Sequence, residues 1–124
     1  MSDNILKSKS YNFALRVVKL FRYLADEKKE FVLSKQILRS GTSIGANVEE
    51  SFQAESKADF IHKLSTANKE AFETNYWLRL LRDSGILEKK FAQSLLIDCD
   101  ELQKLLVSSI KTSKERLKRE VTTE

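Results

Sequence analysis

The sequence predicts an all-α protein, an antiparallel up-down-up-down bundle of four helices. Apolar residues recur every three to four positions along nearly the whole chain, which is the period of one helix face. The 124 residues include no proline and only three glycines, too few turn-makers for the tight turns of an all-β fold. Polar breaks cut the periodic stretches into four, and short connections between amphipathic helices favour antiparallel neighbours. A chain of this length builds one domain around one core. Residues 1–112 are assigned to the bundle and residues 113–124 to a polar, frayed C-terminal tail.

In the first helix Phe13, Val17, Leu20, Phe21 and Leu24 share a face, and Ala14 and Val18 widen it enough to serve two neighbours. Residues 25–30, Ala-Asp-Glu-Lys-Lys-Glu, form the first loop. The second helix is expected from about Phe31 to about Phe52, with Val32, Ile37, Leu38, Ile44, Val48 and Phe52 as its apolar stripe. Gly41 and Gly45 lie inside it, each ~1 kcal/mol less favourable than alanine in a helix interior. Two arrangements fit them. Either Gly41 ends one helix and another starts at Thr42 or Ser43, or one continuous helix carries Ser40, Gly41, Gly45 and Ala46 as a small-residue strip that admits another backbone. The continuous helix is preferred.

The third helix opens on Ser56-Lys57-Ala58-Asp59, a capping box with aspartate in place of the usual glutamate. Phe60, Ile61, Leu64, Ala67, Ala71, Thr74, Trp77, Leu78 and Leu81 follow at helical spacing, and Ser84-Gly85 supplies the stop. Glu88 stands near the start of the fourth helix, whose stripe is Phe91, Leu95, Leu96, Cys99, Leu102, Leu105, Leu106 and Ile110. These last two helices each approach ~28 residues, or ~40 Å at the α-helical rise.

Composition narrows the function classes. One cysteine forms no internal disulfide framework, and one cysteine with one histidine falls short of a zinc ligand set. The N-terminus lacks the layout of a signal peptide, and no apolar run approaches the ~20 residues of a membrane span. The expectation is a cytoplasmic protein that does not enter a membrane. Asp59-x-x-His62 has the spacing of carboxylate-bridged di-iron bundles, which need a second such motif and two further carboxylates. His62 is therefore read as an ordinary surface or partly buried side chain, and Cys99 as a small core hydrophobe. The glycines fit no phosphate-binding loop, and one histidine without an orienting partner makes a poor triad. No catalytic residue, cofactor or metal is expected.

A polar stripe is more informative. Gln36, Arg39, Ser43, Asn47 and Glu50 fall on one line of the second helix, beside the apolar stripe of Ile37, Ile44 and Val48. Polar groups in that position are expected to be at least partly buried and to need partners. The line fits either interhelical hydrogen bonds that fix register or a binding surface for RNA or a protein. Glu73 is the expected partner of Arg39, because a buried arginine needs a carboxylate.

The run from Ser34 to Glu50, with Gln36, Arg39, Ser43-Ile44, Asn47 and Glu50 at these spacings, resembles the signature of the small four-helix-bundle proteins encoded in intervening sequences of bacterial 23S ribosomal RNA genes, the S23 type. Phe60-Ile61, Leu64, Ala67, Glu73 and Gly85-Ile86-Leu87 resemble that family's third helix and following turn, so the resemblance covers about residues 8–112. The chain departs where the family often has proline after Ser-Ile, here Gly45, and where it often has glycine and an aromatic after Glu, here Ser51 and Phe52. These changes touch local helix geometry more than chemistry. The resemblance implies a bacterial, cytoplasmic bundle that assembles as a ring-like homo-oligomer, a pentamer, and binds structured RNA; that it is non-enzymatic is the expectation from the residues above. A related branch resembles the accessory subunit of retroelement reverse transcriptases. The alternative is thus an oligomeric protein-interaction scaffold or an accessory subunit of an RNA-handling enzyme.

Oligomerisation has separate support in the broad arc of the first helix and in Phe72, Tyr76, Trp77 and Leu80, which fall away from the core line of the third; scattered surface hydrophobes are the alternative. The candidate nucleic-acid contacts are Lys9, Arg16, Lys19 and Arg22, on a stretch with no acid between positions 4 and 25. Lys89, Lys90, Lys104, Lys111, Lys114, Lys118 and Arg119 decorate the fourth helix and tail, while Asp98, Asp100 and Glu101 make the basic surface patchy. The net charge of +4 is mild for one chain, but five copies carry +20 and attract phosphate strongly.

Overall fold

The computed structural model describes residues 2–123, with side chains from Ile5 to Thr122. Four helices follow in order: α1 (Ser2–Asp26), α2 (Leu33–Ser51), α3 (Lys57–Asp83) and α4 (Lys89–Thr123), with no strand among the described residues. Each helix packs on the next and α4 packs back on α1, whereas the backbones of the diagonal pairs α1–α3 and α2–α4 make no close approach among the described residues. The bundle core gathers Leu6, Phe13, Val17, Leu20 and Leu24 from α1 with Ile37, Ile44 and Val48 from α2. Leu64, Ala67, Ala71, Leu78 and Leu81 of α3, Leu87 of the turn, and Ala92, Leu95, Leu96, Cys99, Leu102 and Leu106 of α4 complete it.

α2 is one continuous helix through both glycines. A Cβ built on Gly41 would stand 2.7 and 2.8 Å from the two methyls of Val17, and one on Gly45 would stand 3.2 Å from the Ser10 carbonyl oxygen. The two glycines therefore mark where α1 lies hard against α2, its backbone at Gly45 and a β-branched side chain at Gly41, whereas Ser40 of the expected strip faces Thr74 of α3 and Ala46 is exposed.

The start of α2 differs from the sequence expectation. Phe31 and Val32 are exposed, Val32 by 71%, and the helix begins at Leu33. Lys29 takes a left-handed backbone, φ 53°, that turns the chain out of α1. The Glu30 carboxylate then accepts the backbone N–H groups of Val32 (3.2 Å), Leu33 (3.1 Å) and Ser34 (2.8 Å). These are orphan donors of a helix N-terminus, and Glu30 caps them from outside the helix. Burial pushes the Glu30 pKa upward, but the three N–H bonds outweigh it and hold the carboxyl below its ordinary value. Phe52 and Phe91 also leave the core: Phe52 lies just past α2, and Phe91 stacks on Tyr23 at the surface, ring centroids 6.3 Å apart.

α3 starts as its capping box predicts, with the Ser56 hydroxyl accepting from Asp59 N–H at 3.1 Å; the Asp59 carboxylate takes Glu55 N–H at 3.3 Å. Gly85, at φ 79°, supplies the left-handed turn after α3 that a side chain would strain. α4 is longer than expected, 35 residues. The segment 113–124 set apart as a frayed tail is helical as far as Thr123. No glycine or proline follows Gly85 to break the helix. Half-buried Ser113 and Leu117, together with an ion pair between Lys57 and Glu120, tie this stretch to the start of α3. No helix is long and apolar enough to cross a membrane among the described residues.

Candidate functional site

The polar line of α2 follows the rim of the α2–α3 groove. Gln36, Arg39 and Glu50 are exposed, and Ser43 and Asn47 are half-buried, so the line is wetter than its place beside Ile37, Ile44 and Val48 suggested. Spacing sets the direction in which a side chain leaves the helix, but not how far the neighbouring helix covers it. Ser43 and Asn47 turn inward on their own helix: the Ser43 hydroxyl donates to Arg39 O at 2.6 Å and the Asn47 amide to Ser43 O at 2.9 Å. Glu50 reaches Lys63 of α3 at 3.6 Å.

Arg39 makes the closest cross-helix contacts of the line. Its guanidinium bonds Glu73, and Glu70 at 3.1 Å, so two carboxylates one turn apart on α3 hold one arginine. Partial desolvation pulls the guanidinium pKa down, but these two carboxylates win and hold it above its ordinary value. Glu73 also accepts from the Trp77 indole N–H at 3.1 Å, which steadies a half-buried aromatic on the outer side of α3. Glu70 was not anticipated from the sequence, although its place three residues before Glu73 on the same face was the available signal. The buried polar link between these helices lies one position inward of Arg39, where the hydroxyls of Ser40 and Thr74 pair at 2.9 Å.

The four α1 cations divide into two kinds. Lys9 pairs with Glu101 at 2.8 Å, and Arg16 with Asp98 at 2.6 Å and with the Ser94 hydroxyl at 3.1 Å. The hydrogen bond and charge of Glu101 raise the Lys9 pKa above its ordinary value. Both cations thus zip α1 to α4, and the acidic cluster on α4 is their counterpart. Lys19 and Arg22 have no ion-pair partner among the described residues and remain on the exposed face. Further basic residues crowd the end of α4: positions 111–123 carry five basic and two acidic side chains.

Cys99 is buried, its thiol donating to Ala71 O at 3.3 Å. Burial, with the nearby Asp100 and Asp98 charges, pushes its pKa up to about 12. His62 is exposed. Among the described residues no group of three or more His, Cys, Asp or Glu side chains is placed to hold a metal ion.

Outside the core, two apolar stripes stay uncovered. Phe72, Tyr76 and Leu80 run along α3, with Phe72 61% exposed, and Tyr11 and Leu15 run along α1. Arg79 lies over the Tyr76 ring at 5.8 Å.

The family model described as 23S rRNA-intervening sequence protein matches residues 2–108 of this chain. Among solved structures, the chain is similar to the crystal structure of a protein of unknown function from the S23 ribosomal protein family of Bacteroides thetaiotaomicron. The two are 55% identical with a TM-score of 0.88, over 90% of this chain and 99% of that one. A comparison with curated proteins returns no match.

Proposed function

This chain belongs to the 23S rRNA-intervening sequence protein family, and from that premise we propose that it is a non-enzymatic, cytoplasmic protein that binds structured RNA as a ring-like homo-oligomer. The observation that carries the RNA reading is the distribution of unspent charge. Lys9 and Arg16 are occupied within the fold, but Lys19 and Arg22 on α1, and Lys111, Lys114, Arg116 and Lys118 near the end of α4, are exposed and carry no ion pair among the described residues. Phosphate binding needs such cations, repeated over a surface.

The up-down-up-down course is supported by the pairs that join neighbouring helices. Val17 meets Gly41 where Ser10 meets Gly45, Ser40 meets Thr74 where Glu50 meets Lys63, and Asn75 meets Asp100 where Lys57 meets Glu120. In each pair the numbering rises on one helix as it falls on the other. The ring is supported by the two apolar stripes. α1 and α3 occupy diagonal corners, so a stripe on each presents two different patches on opposite sides of the bundle. Patch-to-different-patch contact between identical chains is head-to-tail, and such contacts close into rings when the rotation allows. A pentamer follows the family resemblance.

Fluorescence anisotropy with a labelled RNA hairpin, across a salt series, tests the RNA reading. The expected result is binding that weakens steeply between about 50 and 200 mM salt. Absent binding, or binding indifferent to salt, refutes it. Sedimentation measures the subunit number at the same time. The second reading, a protein-interaction scaffold or accessory subunit of an RNA-handling enzyme such as a reverse transcriptase, is favoured by the exposed Phe72–Tyr76–Leu80 stripe. It is preferred if the protein proves monomeric and indifferent to RNA while that stripe captures a protein partner.

A further inference from the structure

α4 outruns α1 and α2. Its last turns run beside the start of α3, joined to it by the Lys57–Glu120 pair, and a cavity of about 380 Å³ opens between Ser113 and Arg116 of α4 and residues 51–60. That volume lies in the ~300–1,000 Å³ range of ligand sites. We propose that this cavity binds one unpaired nucleotide of RNA, with the base against Phe52 and Phe60 and the phosphate against Arg116. The proposal rests on the RNA reading above and names the site that the α1 cations do not supply.

Three features carry it. The apolar wall is aromatic: Phe52 and Phe60 stand edge to face, centroids 6.2 Å apart, and Lys7 covers Phe52 at 4.7 Å from its centroid. A flat, polarisable base stacks on such a wall whatever its identity. The lining is also cationic. Arg116 is exposed, lines the cavity and has no carboxylate partner among the described residues. Its planar fork matches a phosphate. Lys57 lines the cavity beside it and is held by Glu120. Both partners of that pair are about half exposed, with side-chain accessibilities of 50% and 54%, so the pair is weak and Lys57 can be shared with a phosphate. Finally, Ser56 and Ser113 line the cavity. Ser56 accepts from Asp59 N–H and keeps its own proton to donate to a ribose or phosphate oxygen.

An acidic peptide shares the charge requirement but not the need for two aromatic rings. A regular duplex keeps its bases stacked and leaves the aromatic wall empty. The occupant that uses both the rings and the cations is a splayed-out nucleotide, the usual target of sequence-tolerant RNA recognition.

The test measures anisotropy of a labelled unpaired RNA oligonucleotide and of an RNA duplex, with the full-length protein and single variants, each checked for an unchanged melting curve. Arg116→Ala is expected to weaken unpaired-RNA binding at least ~5-fold and to lower the magnitude of the salt slope by about 0.7, one phosphate contact on a single strand. Phe52→Leu should weaken unpaired RNA ~5-fold or more while leaving the duplex within about twofold. Glu120→Gln frees Lys57 and should tighten unpaired RNA more than the duplex, whereas the mere loss of a surface negative charge would tighten both alike. If the parent binds RNA but Arg116→Ala and Phe52→Leu bind as it does, the cavity is not the site and the RNA reading survives. If Lys19→Ala and Arg22→Ala then carry the loss, binding belongs to α1. If the parent binds no RNA at low salt, the RNA reading itself falls. Competition by an acidic peptide that is lost in Arg116→Ala but kept in Phe52→Leu overturns the nucleotide assignment.

Discussion

Gly41→Ala is a test in which two physical effects have opposite signs. In an exposed helix interior, alanine is more favourable than glycine by ~1 kcal/mol, so propensity alone predicts stabilisation. Here the new Cβ meets Val17 Cγ2 at 2.7 Å and Cγ1 at 2.8 Å, both far inside contact distance. Val17 is fully buried and β-branched in a helix, so it has one favoured rotamer and no free space to enter. α1 must move away from α2 instead. Overpacking of this kind costs ~1–3 kcal/mol, which outweighs the propensity gain and leaves a net loss of ~1–2 kcal/mol at the upper part of that range. Thermal and urea unfolding at one fixed protein concentration measure it, because assembly would otherwise shift the apparent stability.

Val17→Ala supplies the control. Alone it empties a buried site and destabilises by ~1.5–3 kcal/mol. Combined with Gly41→Ala, the added methyl enters the space that the valine methyls leave, so the double variant is more stable than the sum of the single losses by ~1–3 kcal/mol. Additivity within ~0.5 kcal/mol, or stabilisation by Gly41→Ala alone, refutes the close approach of α1 and α2 as the reason for the glycine.

Three other outcomes follow from the geometry. Glu30→Gln removes the charged cap of α2 and should cost ~1 kcal/mol near neutral pH. Because the Glu30 pKa is lowered in the fold, its contribution is present above the ordinary value of 4.5 and is lost as pH falls through the folded value. The difference in melting temperature between parent and variant should therefore shrink in that acidic window, and a constant difference would refute the cap. Arg39→Ala should cost only about 1 kcal/mol or less, because the arginine is 49% exposed and Glu73 keeps its Trp77 donor; a loss of ~3 kcal/mol or more, the signature of a buried unpaired charge, would contradict this geometry. Cys99 should resist a maleimide in the native protein and react on unfolding, since its thiol is buried and its pKa is pushed up to about 12. Native labelling at the rate of a free cysteine would count against that placement.

The third helix is the most legible element. Ser56 begins it and Gly85 ends it, and the seven buried positions of α3, Ile61 through Leu81, are those its period selects. Both the cap and the period act within the helix itself. The start of α2 was illegible for the opposite reason. Its capping group is Glu30, before the helix, acting through three backbone donors at once, and no spacing rule marks a carboxylate that reaches across a left-handed turn. The α2 polar line was legible as a line and illegible as an environment. Burial depends on how far α3 overhangs it, and the two members of the line that pair with α3 side chains, Arg39 and Glu50, do so at the exposed rim. The end of α4 misled by composition, because polar residues read as frayed although lysine, arginine, glutamate and leucine are all good helix formers and no breaker interrupts them. Arg116 was missed with it.

The net charge then acquires a direction. Read as a total, +4 on a chain with 22 basic and 18 acidic residues is a small surplus spread over both halves. The fold sorts it. Asp98 and Glu101 on α4 take up Arg16 and Lys9 on α1, so the stretch that is most basic in sequence is partly neutralised in space. The five basic residues of 111–123 face two acids, and the helix carrying them projects along the start of α3 and the 52–56 connection. Steering of a polyanion depends on the local density of unspent cations rather than on the sum. Assembly of identical copies multiplies whichever end of the bundle is uncompensated. On the proposed reading of an RNA-binding ring, the quantity that matters is therefore the charge at the α4 end of one chain times the number of copies that present it on one side.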